Sequence, residues 1–220
     1  MILNIIPNLL LKVKCYTMSL NDSLSETNIS KNPFLQFKIW YDERIRSYTG
    51  EPNAASLATS SAEGNVSVRT VLIKEYVEKG YVFYTNYNSK KGEHLNANPF
   101  AALLFYWPES GRQIRVEGSV QKVPSDVSDR YFQLRPHGSQ VAAVASDQSS
   151  VIPDRKFLED LYTFHSERFA GKRVDRPAHW GGYILTPSWF EFWQEGEHRL
   201  HDRISYTRIA DRWRIERLAP

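Results

Sequence analysis

The 220-residue chain contains a single cysteine, Cys15. One cysteine forms no intrachain disulfide, and it cannot supply the set of thiolates that a cysteine zinc site requires. The sequence therefore excludes a small scaffold held together by disulfides. We expect a reducing, cytoplasmic compartment, where free thiols are the rule.

Several motifs of nucleotide-binding and hydrolytic folds are missing. The chain has no Gly-x-Gly-x-x-Gly, no Gly-x-x-x-x-Gly-Lys-Ser/Thr and no Gly-x-Ser-x-Gly. These absences argue against a Rossmann or P-loop nucleotide site and against a hydrolase nucleophile elbow. His198 and His201 lie beside Gly196 in a strand-like segment. A zinc site needs further ligands at helical spacing, so we expect no metal.

Neither charge nor hydropathy indicates a nucleic acid or a membrane as partner. The formal charge is only +3, and the 28 basic and 25 acidic residues are mixed along the chain, whereas a nucleic-acid footprint clusters lysine and arginine. The apolar residues 1–11 lack a basic flank, contain Pro7 and are too short to span a bilayer. We expect residues 1–32 to form a flexible N-terminal arm, with Met18 as an alternative start.

The apolar pattern predicts one helix followed by mostly short strands. Apolar residues recur at helical spacing from Pro33 until Gly50 and Pro52 end the helix, and the period then changes to two. Strands are predicted at residues 54–61, 65–74, 81–86, 100–107, 113–123, 180–186, 189–194, 204–209 and 213–218. Further helices are predicted at residues 89–98, 124–135, 138–146 and 153–170.

These strands follow one another as hairpins instead of alternating with helices. That order favours a mainly β (α+β) fold, an antiparallel barrel with peripheral helices packed outside it. Hydrophobic residues make up 41% of the chain and aromatic residues 13%, which suits a β-rich globular core. No repeat or linker divides the chain, so residues 33–220 are expected to form one domain.

Basic residues lie at the ends of two predicted strands and at the start of a helix. Arg69 belongs to the second strand, while Ser89, Lys90 and Lys91 begin the helix that follows the third. The free N–H groups of a helix N-terminus favour an anion, so a phosphate fits between these groups. An exposed basic rim is an equally good interpretation of this spacing alone.

Tyr131, Arg135 and Ser139 are each four residues apart. Tyr131 and Arg135 share one face of the predicted helix, and Pro136 ends that helix just before Ser139. A phenol, a guanidinium and a hydroxyl suit a phosphate. On spacing alone, a surface pair is the better interpretation.

The third group lies near the C-terminus, in the segment from Glu191 to Arg203. In an extended chain, Arg199, His201 and Arg203 point to the same side. Three cationic or titratable groups on one face repel each other, which indicates an electron-rich ligand. A solvated strand edge is the alternative.

Together these segments resemble the pyridoxine 5′-phosphate oxidase family. The resemblance runs from about residue 32 to residue 220, and its most specific part is Glu-Phe-Trp-Gln-x-Gly-Glu-His-Arg-Leu-His-Asp-Arg, residues 191–203. Shorter matches are Arg-x-Val-Leu-x-Lys, Phe-Tyr-Thr-Asn-x-x-Ser-x-Lys, Arg-Pro-x-x-Ser-Gln, Gln-Ser-Ser, Trp-Gly-Gly and the final Arg-Leu-Ala-Pro. The resemblance implies an antiparallel split β-barrel and a homodimer that binds FMN at the subunit interface.

The resemblance also implies roles for individual residues. FMN would contact Arg69, Thr70, Val71, Leu72, Ile73, Lys74, Tyr84, Thr85, Lys90, Lys91, Gln113, Gln148, Ser149, Trp193 and Arg203. The substrate phosphate would lie among Lys74, Tyr131, Arg135 and Ser139. The substrate ring would contact Arg199, Leu200 and His201, with Arg199 and His201 as the catalytic pair.

Two departures from the family pattern stand out. Lys90 occupies a position where arginine is common, which keeps the charge but loses bidentate geometry. The family often has an N-terminal Arg-x-x-Tyr motif that covers the substrate, and residues 14–18 do not match it.

The implied activity is FMN-dependent oxidation of pyridoxamine 5′-phosphate and pyridoxine 5′-phosphate to pyridoxal 5′-phosphate, with dioxygen reduced to hydrogen peroxide. One alternative is a related flavin oxidase that acts on another aromatic compound, as in phenazine biosynthesis, although the phosphate-binding residues speak against it. Another is a non-catalytic protein that binds flavin or pyridoxal phosphate.

Overall fold

A computed structural model describes residues 24–77 and 79–220. Its strands are β1 (Ala54–Ser60), β2 (Val66–Leu72), β3 (Glu75–Val77), β4 (Gly80–Asn86), β5 (Phe100–Trp107), β6 (Arg112–Lys122), β7 (Trp180–Gln194), β8 (Asp202–Ile209) and β9 (Arg212–Arg217). Its α-helices are α1 (Pro33–Ser47), α2 (Lys90–Ala97), α3 (Ser125–Leu134), α4 (His137–Ala145) and α5 (Arg155–Arg168). Two short 3-10 turns, Pro108–Ser110 and Glu197–Arg199, complete the described elements.

All nine strands belong to one antiparallel sheet. Their order is β2-β1-β5-β6-β7-β4-β3, and β8 and β9 continue the sheet beside the second half of β7. β7 therefore pairs with β4 through its first half and with β8 through its second half, while β6 follows it along both. The fold is the predicted antiparallel split barrel with peripheral helices.

The long strand β7 corrects the prediction of two separate strands. The register between β6 and β7 shifts at Glu117 and Gly118, which pair with Trp189 and Pro187 and leave Ser188 as an extra residue. Proline has no N–H to donate and is tolerated in a sheet at such a bulge. A Cβ on Gly118 would lie 2.0 Å from the Thr186 carbonyl oxygen, so only glycine fits there.

Aromatic side chains dominate the barrel core. Helix α1 begins with Asn32 as its N-cap, whose side chain accepts from the N–H groups of the first turn, and with Pro33 at the first position. Phe37 and Trp40 of α1 are each 1% exposed and pack against strand residues such as Phe105 and Phe192. A second cluster, made of Phe132, Val141, Val174 and Trp180, joins α3 and α4 to the start of β7.

The structure differs from the predicted N-terminal arm over residues 24–32. Leu24 is fully buried and Ile29 is 5% exposed, and both belong to the barrel core. Tyr206 Oη donates to the Ser30 carbonyl at 2.6 Å, and Arg217 Nη2 donates to the Leu24 carbonyl at 3.0 Å. The sequence did not predict these contacts, because only two of the nine residues have buried apolar side chains and the others are polar. Residues 1–23 of the predicted arm, including Cys15, lie outside the described residues.

Two further differences concern short segments. The strand β3 was not predicted, because only three residues pair with β4 after the break at Lys74. The segment from Arg199 to Arg203 is not extended throughout as predicted: His198 and Arg199 adopt positive φ values of 54° and 65° in a 3-10 turn, and the strand begins only at Asp202. The turn connects β7 directly to its antiparallel neighbour β8, and this reversal requires a tight loop.

Candidate active site

A cavity of about 440 Å³ opens between the sheet and the helices α3 and α4. Strands β2 and β4 form its floor, and Lys91 of α2 lies at one end. The lining residues are Thr70, Val71, Leu72, Lys74, Tyr84, Thr85, Asn86, Lys91, Tyr131, Arg135, Ala142, Ala143, Ser146, Gln148 and Trp180. The cavity therefore combines cationic, hydroxyl and aromatic groups, which suits a flat ligand that carries an anion.

Lys91 is a buried cation with neutral partners. Its Nζ donates to Thr85 Oγ1 at 3.0 Å, to Ser89 Oγ at 3.2 Å and to Gln148 Oε1 at 2.9 Å. Burial, helped by the neighbouring Arg69 cation, lowers the pKa of Lys91 to about 8. An anion bound at this end of the cavity would neutralise the Lys91 ammonium, which the neutral partners of Nζ do not do.

The start of α2 adds a second attraction for an anion. Ser89 is the N-cap residue, but its Oγ donates to the Asn86 carbonyl at 2.7 Å instead of capping the helix. The N–H groups of the first turn thus lack a side-chain acceptor and carry the positive end of the helix dipole. Arg69 lies nearby, with its Nη1 held by the Leu57 carbonyl at 3.0 Å and by Thr59 Oγ1 at 2.8 Å.

A second cavity of about 330 Å³ shares Leu72, Lys74, Tyr131 and Arg135 with the first and also includes Leu134, Pro136 and Ser139. The structure thus brings the spaced residues together, although α3 ends at Leu134 and Arg135 is already extended. The predicted shared helix face is therefore wrong. Pro136 causes this early end, because the residue before a proline is disfavoured in a helix.

Arg135 has a buried guanidinium nitrogen that is available to an anion. Its guanidinium lies 4.5 Å from the ring centroid of Trp180, while its Nη1 is buried and has no hydrogen-bond partner. Burial lowers the pKa of Arg135. Tyr84 stacks on Tyr131 with 3.8 Å between ring centroids, and the buried Tyr84 Oη also lacks a partner. Unpaired buried donors are costly, so these atoms indicate a ligand.

Several predicted site residues do not line either cavity. Gln113, Trp193 and Arg203 form one row across β6, β7 and β8. His201 packs on Trp193 with 4.7 Å between ring centroids, and its Nδ1 accepts from the Gly196 N–H at 3.2 Å. In the neutral ring, Nε2 therefore carries the proton and is the donor available to a ligand. The others outside both cavities are Arg69, Ile73, Lys90, Ser149, Arg199 and Leu200.

The row of Gln113, Trp193 and Arg203 lies on the outer face of the sheet. Residues paired across antiparallel strands point to the same face, and Gln113 also pairs with Tyr106 of β5. Leu104 and Ala102 of β5 point to the same face as Tyr106. Ala102 pairs with Ala58 of β1, and Ala58 pairs with Val68 of β2. Val66, Val68, Phe100 and Tyr106 are between 59% and 82% exposed. Exposed apolar residues that share one face are typical of a protein interface.

Sequence reasoning missed five of the cavity residues, namely Asn86, Ala142, Ala143, Ser146 and Trp180. Trp180 begins the Trp-Gly-Gly match, which was available as a signal. A Cβ on Gly182 would lie 2.8 Å from the Tyr84 ring, so the glycine of this motif leaves room for the stacked Tyr84 side chain. The alanines of α4 carried no signal, because an alanine in a helix looks the same in a core and beside a ligand.

Within residues 24–77 and 79–220, no group of three or more histidine, cysteine, aspartate or glutamate side chains is placed to hold a metal ion. No helix of that part of the chain is long and apolar enough to cross a membrane.

Comparison with known proteins agrees with this geometry. The family model for pyridoxamine 5′-phosphate oxidase matches residues 41–162, and the one for the pyridoxine 5′-phosphate oxidase C-terminal dimerisation region matches residues 180–220. A pyridoxine/pyridoxamine 5′-phosphate oxidase of Burkholderia thailandensis is 51% identical over 201 residues, which cover 90% of this chain and 94% of the relative. The relative of the same description from Cyanothece sp. is 48% identical over 198 residues, with coverages of 90% and 93%.

Two solved structures share the fold. PhzG of Burkholderia lata, crystallised with tetrahydrophenazine-1-carboxylic acid, superposes with a TM-score of 0.84 at 29% identity and covers 90% of this chain and 98% of its own. A pyridoxamine 5′-phosphate oxidase-related, FMN-binding protein of Nostoc punctiforme has a TM-score of 0.68 at 16% identity, with coverages of 86% and 97%.

The fold and the cavities thus define a split-barrel protein with two adjoining cavities that are lined by cationic side chains beside an aromatic wall. The sequence matches specify the group more closely: this chain belongs to the pyridoxamine 5′-phosphate oxidase family.

Proposed function

We propose that the chain is an FMN-dependent oxidase that converts pyridoxamine 5′-phosphate and pyridoxine 5′-phosphate to pyridoxal 5′-phosphate. The observation that carries this proposal is the pair of cation sites in adjoining cavities, one at Lys91 and one at Arg135. One site would hold the phosphate of FMN and the other the phosphate of the substrate. The membership of an oxidoreductase family supports the same reaction.

The residues present fit a bound flavin phosphate. The buried Lys91 ammonium and the uncapped start of α2 supply positive charge, and Thr85 and Gln148 already orient the ammonium. When bound, FMN supplies hydride acceptance from the substrate 4′ carbon and reoxidation by dioxygen. The protein contributes the position of the substrate, because a phosphate fixed at Arg135 restricts where the rest of the small ring can lie.

The direct test is anaerobic mixing of the FMN-loaded protein with pyridoxamine 5′-phosphate. We expect bleaching of the flavin absorption with formation of one pyridoxal 5′-phosphate, as water replaces the amine and one ammonia leaves; oxygen, when admitted, should then yield one hydrogen peroxide. A protein that binds FMN but is not reduced would be a binding protein. Reduction by a dihydrophenazine carboxylate and not by pyridoxamine 5′-phosphate would favour a PhzG-like oxidase.

We propose further that the active form is a homodimer in which each copy completes its partner's site. Gln113, Trp193 and Arg203 do not line the cavity of their own chain, and they share a face with the apolar patch around Val68. The dimerisation region matched at residues 180–220 includes Trp193 and Arg203. A shared site explains why these residues point outwards.

Val68→Glu is expected to weaken the dimer and, at equal protein concentration, to reduce FMN affinity several-fold. The substitution places an unpaired carboxylate on a face that is buried between the copies, and such burial is unfavourable. Sedimentation velocity and FMN titration measure the two effects. Ile45→Glu is the matched control, because Ile45 is an exposed apolar residue of α1 away from this face. A fully dimeric Val68→Glu protein would place the interface elsewhere.

The lowered pKa of Lys91 predicts proton uptake when FMN binds above about pH 8. The unfolded group titrates near 10.5 and the folded one near 8. Without ligand, the unfolded state therefore binds more protons than the folded state between these two pH values. The burial of Lys91 lowers the free energy of unfolding by its full amount below pH 8, and this loss of stability disappears as the pH rises to 10.5. A phosphate beside Nζ raises the pKa again, which draws in a proton and makes FMN affinity fall as pH increases past 8.

Calorimetric titration at pH 9 in two buffers of different ionisation enthalpy measures this uptake. We expect roughly half a proton or more per FMN for the wild type and none for Lys91→Met. Lys172→Met is the control, since Lys172 is exposed and lines neither cavity, and it should leave the uptake intact. Equal uptake by Lys91→Met and wild type would assign the proton to another group.

A further inference from the structure

We propose that Glu191 is a positioning residue that fixes the guanidinium of Arg203 for contact with the flavin. The inference rests on the proposed function, in which Arg203 reaches FMN in the partner's cavity. Glu191 is 1% exposed although it belongs to the outer face of β7. Its carboxylate is paired with two arginines.

Glu191 binds two arginines through its two carboxylate oxygens. Its Oε1 accepts from Arg203 Nε at 2.7 Å, and its Oε2 accepts from Arg115 Nη1 at 2.9 Å. Arg203 Nη1 donates to the Ala219 carbonyl at 2.8 Å. Two nitrogens of the planar guanidinium are thereby held from two directions, which defines the plane and direction of the group.

The third nitrogen of this guanidinium is left for a ligand. Among the described residues, Arg203 Nη2 has no hydrogen-bond partner, while Nε and Nη1 are both engaged. Arg203 pairs with Trp193 across the two strands, so Nη2 belongs to the outer row that contains Trp193 and Gln113. A rigid donor on this row needs little reordering when the flavin of the partner subunit meets it.

The two arginines depend on Glu191 to different degrees. Arg115 has a second carboxylate, because its Nη2 donates to Glu117 Oε1 at 2.6 Å, and its guanidinium lies 5.0 Å from the Trp189 ring centroid. Arg203 has no other carboxylate partner in the described part of the chain. Neutralising Glu191 would thus leave Arg115 with one carboxylate partner and Arg203 with none among the described residues.

The test compares FMN affinity of apoproteins by flavin fluorescence quenching. We expect Glu191→Gln to weaken FMN binding roughly tenfold, which corresponds to about 1.4 kcal/mol, while the apoprotein melting temperature and dimer content stay near those of the wild type. At saturating FMN, the flavin midpoint potential should fall, as in Arg203→Met, because a displaced cation stabilises the reduced flavin less. Glu117→Gln is the control, since Glu117 pairs with Arg115 but not with Arg203.

A double variant separates positioning from general packing. If Glu191 acts through Arg203, Glu191→Gln adds no further loss of FMN affinity in an Arg203→Met background. An additional tenfold loss in that background would overturn the proposal, as would wild-type affinity in the single Glu191→Gln variant. A wild-type protein that does not bind FMN would instead refute the proposed function itself.

Arg203→Lys tests the same proposal without altering Glu191. An ammonium can pair with Glu191 but offers no fixed second donor in a defined plane. We expect Arg203→Lys to bind FMN as weakly as Arg203→Met. Restoration of wild-type affinity by lysine would show that charge alone matters and that the orientation set by Glu191 does not.

Discussion

Arg199→Met is expected to slow anaerobic flavin reduction by pyridoxamine 5′-phosphate well beyond tenfold. About 1.4 kcal/mol of lost transition-state stabilisation already gives a factor of ten. We propose that the Arg199 guanidinium covers the free face of the pyridine ring, where a planar cation can stack and donate hydrogen bonds. Arg199 is exposed and has no hydrogen-bond partner among the described residues, so its own chain does not use it for stability.

Rapid mixing without oxygen measures the reduction rate, and flavin content and melting temperature should match the wild type. Arg212→Met is the control, because Arg212 is another exposed arginine of the C-terminal strands. His201→Asn should also slow reduction while preserving the fold, since an amide oxygen can accept from Gly196 as Nδ1 does. An unchanged rate in a yellow, folded Arg199→Met protein would remove Arg199 from the site.

Arg135→Ala is expected to weaken binding of the substrate phosphate by roughly 10- to 150-fold and to spare FMN. A hydrogen bond to a charged group contributes about 1.5–3 kcal/mol, which corresponds to that range. Arg135→Ala loses the stacking on Trp180 but also removes a buried nitrogen that has no partner, so the melting temperature should change little. The residue is thus expected to serve ligand binding at no gain in stability.

Titration with pyridoxal 5′-phosphate measures this affinity at equilibrium, because the product does not reduce the flavin. Arg130→Ala is the matched control, since Arg130 lies on α3 shortly before Arg135, is exposed and, among the described residues, pairs with Asp126. If Arg135→Ala lost FMN and product affinity equally, Arg135 would belong to the flavin phosphate and not to the substrate phosphate.

Strands were easiest to predict from the sequence where one face is buried and the other is exposed to solvent. Strands with one buried face, such as β1 and β6, alternate cleanly and were predicted close to their observed bounds. β3 was not predicted because three residues are too few to show the two-residue alternation of a strand. The turn at His198 and Arg199 escaped because its positive φ values fall on residues that carry no glycine-like signal.

The candidate site was predictable in its chemistry but not in its assembly. Spacing alone left Arg135 equivalent to a surface residue, and only the structure shows its buried, unpaired nitrogen beside Trp180. The pairing of Glu191 with Arg203 spans twelve residues and two strands, so no local pattern reveals it. The proposed division of the site between two copies is inferred from the strand register, which cannot be read from the sequence.

The extra residue in β7 makes the length of this segment matter more than its composition. Before the bulge, the odd-numbered Tyr183 and Leu185 point into the core, whereas after it the even-numbered Phe190 and Phe192 do so. Deleting the exposed Ser188 would reverse the faces of one half of the strand, so that Glu191 and Trp193 would replace the buried phenylalanines in the core. Substitutions at Ser188 should be tolerated freely while insertions and deletions are not, so relatives are expected to differ here in residue type and never in residue number.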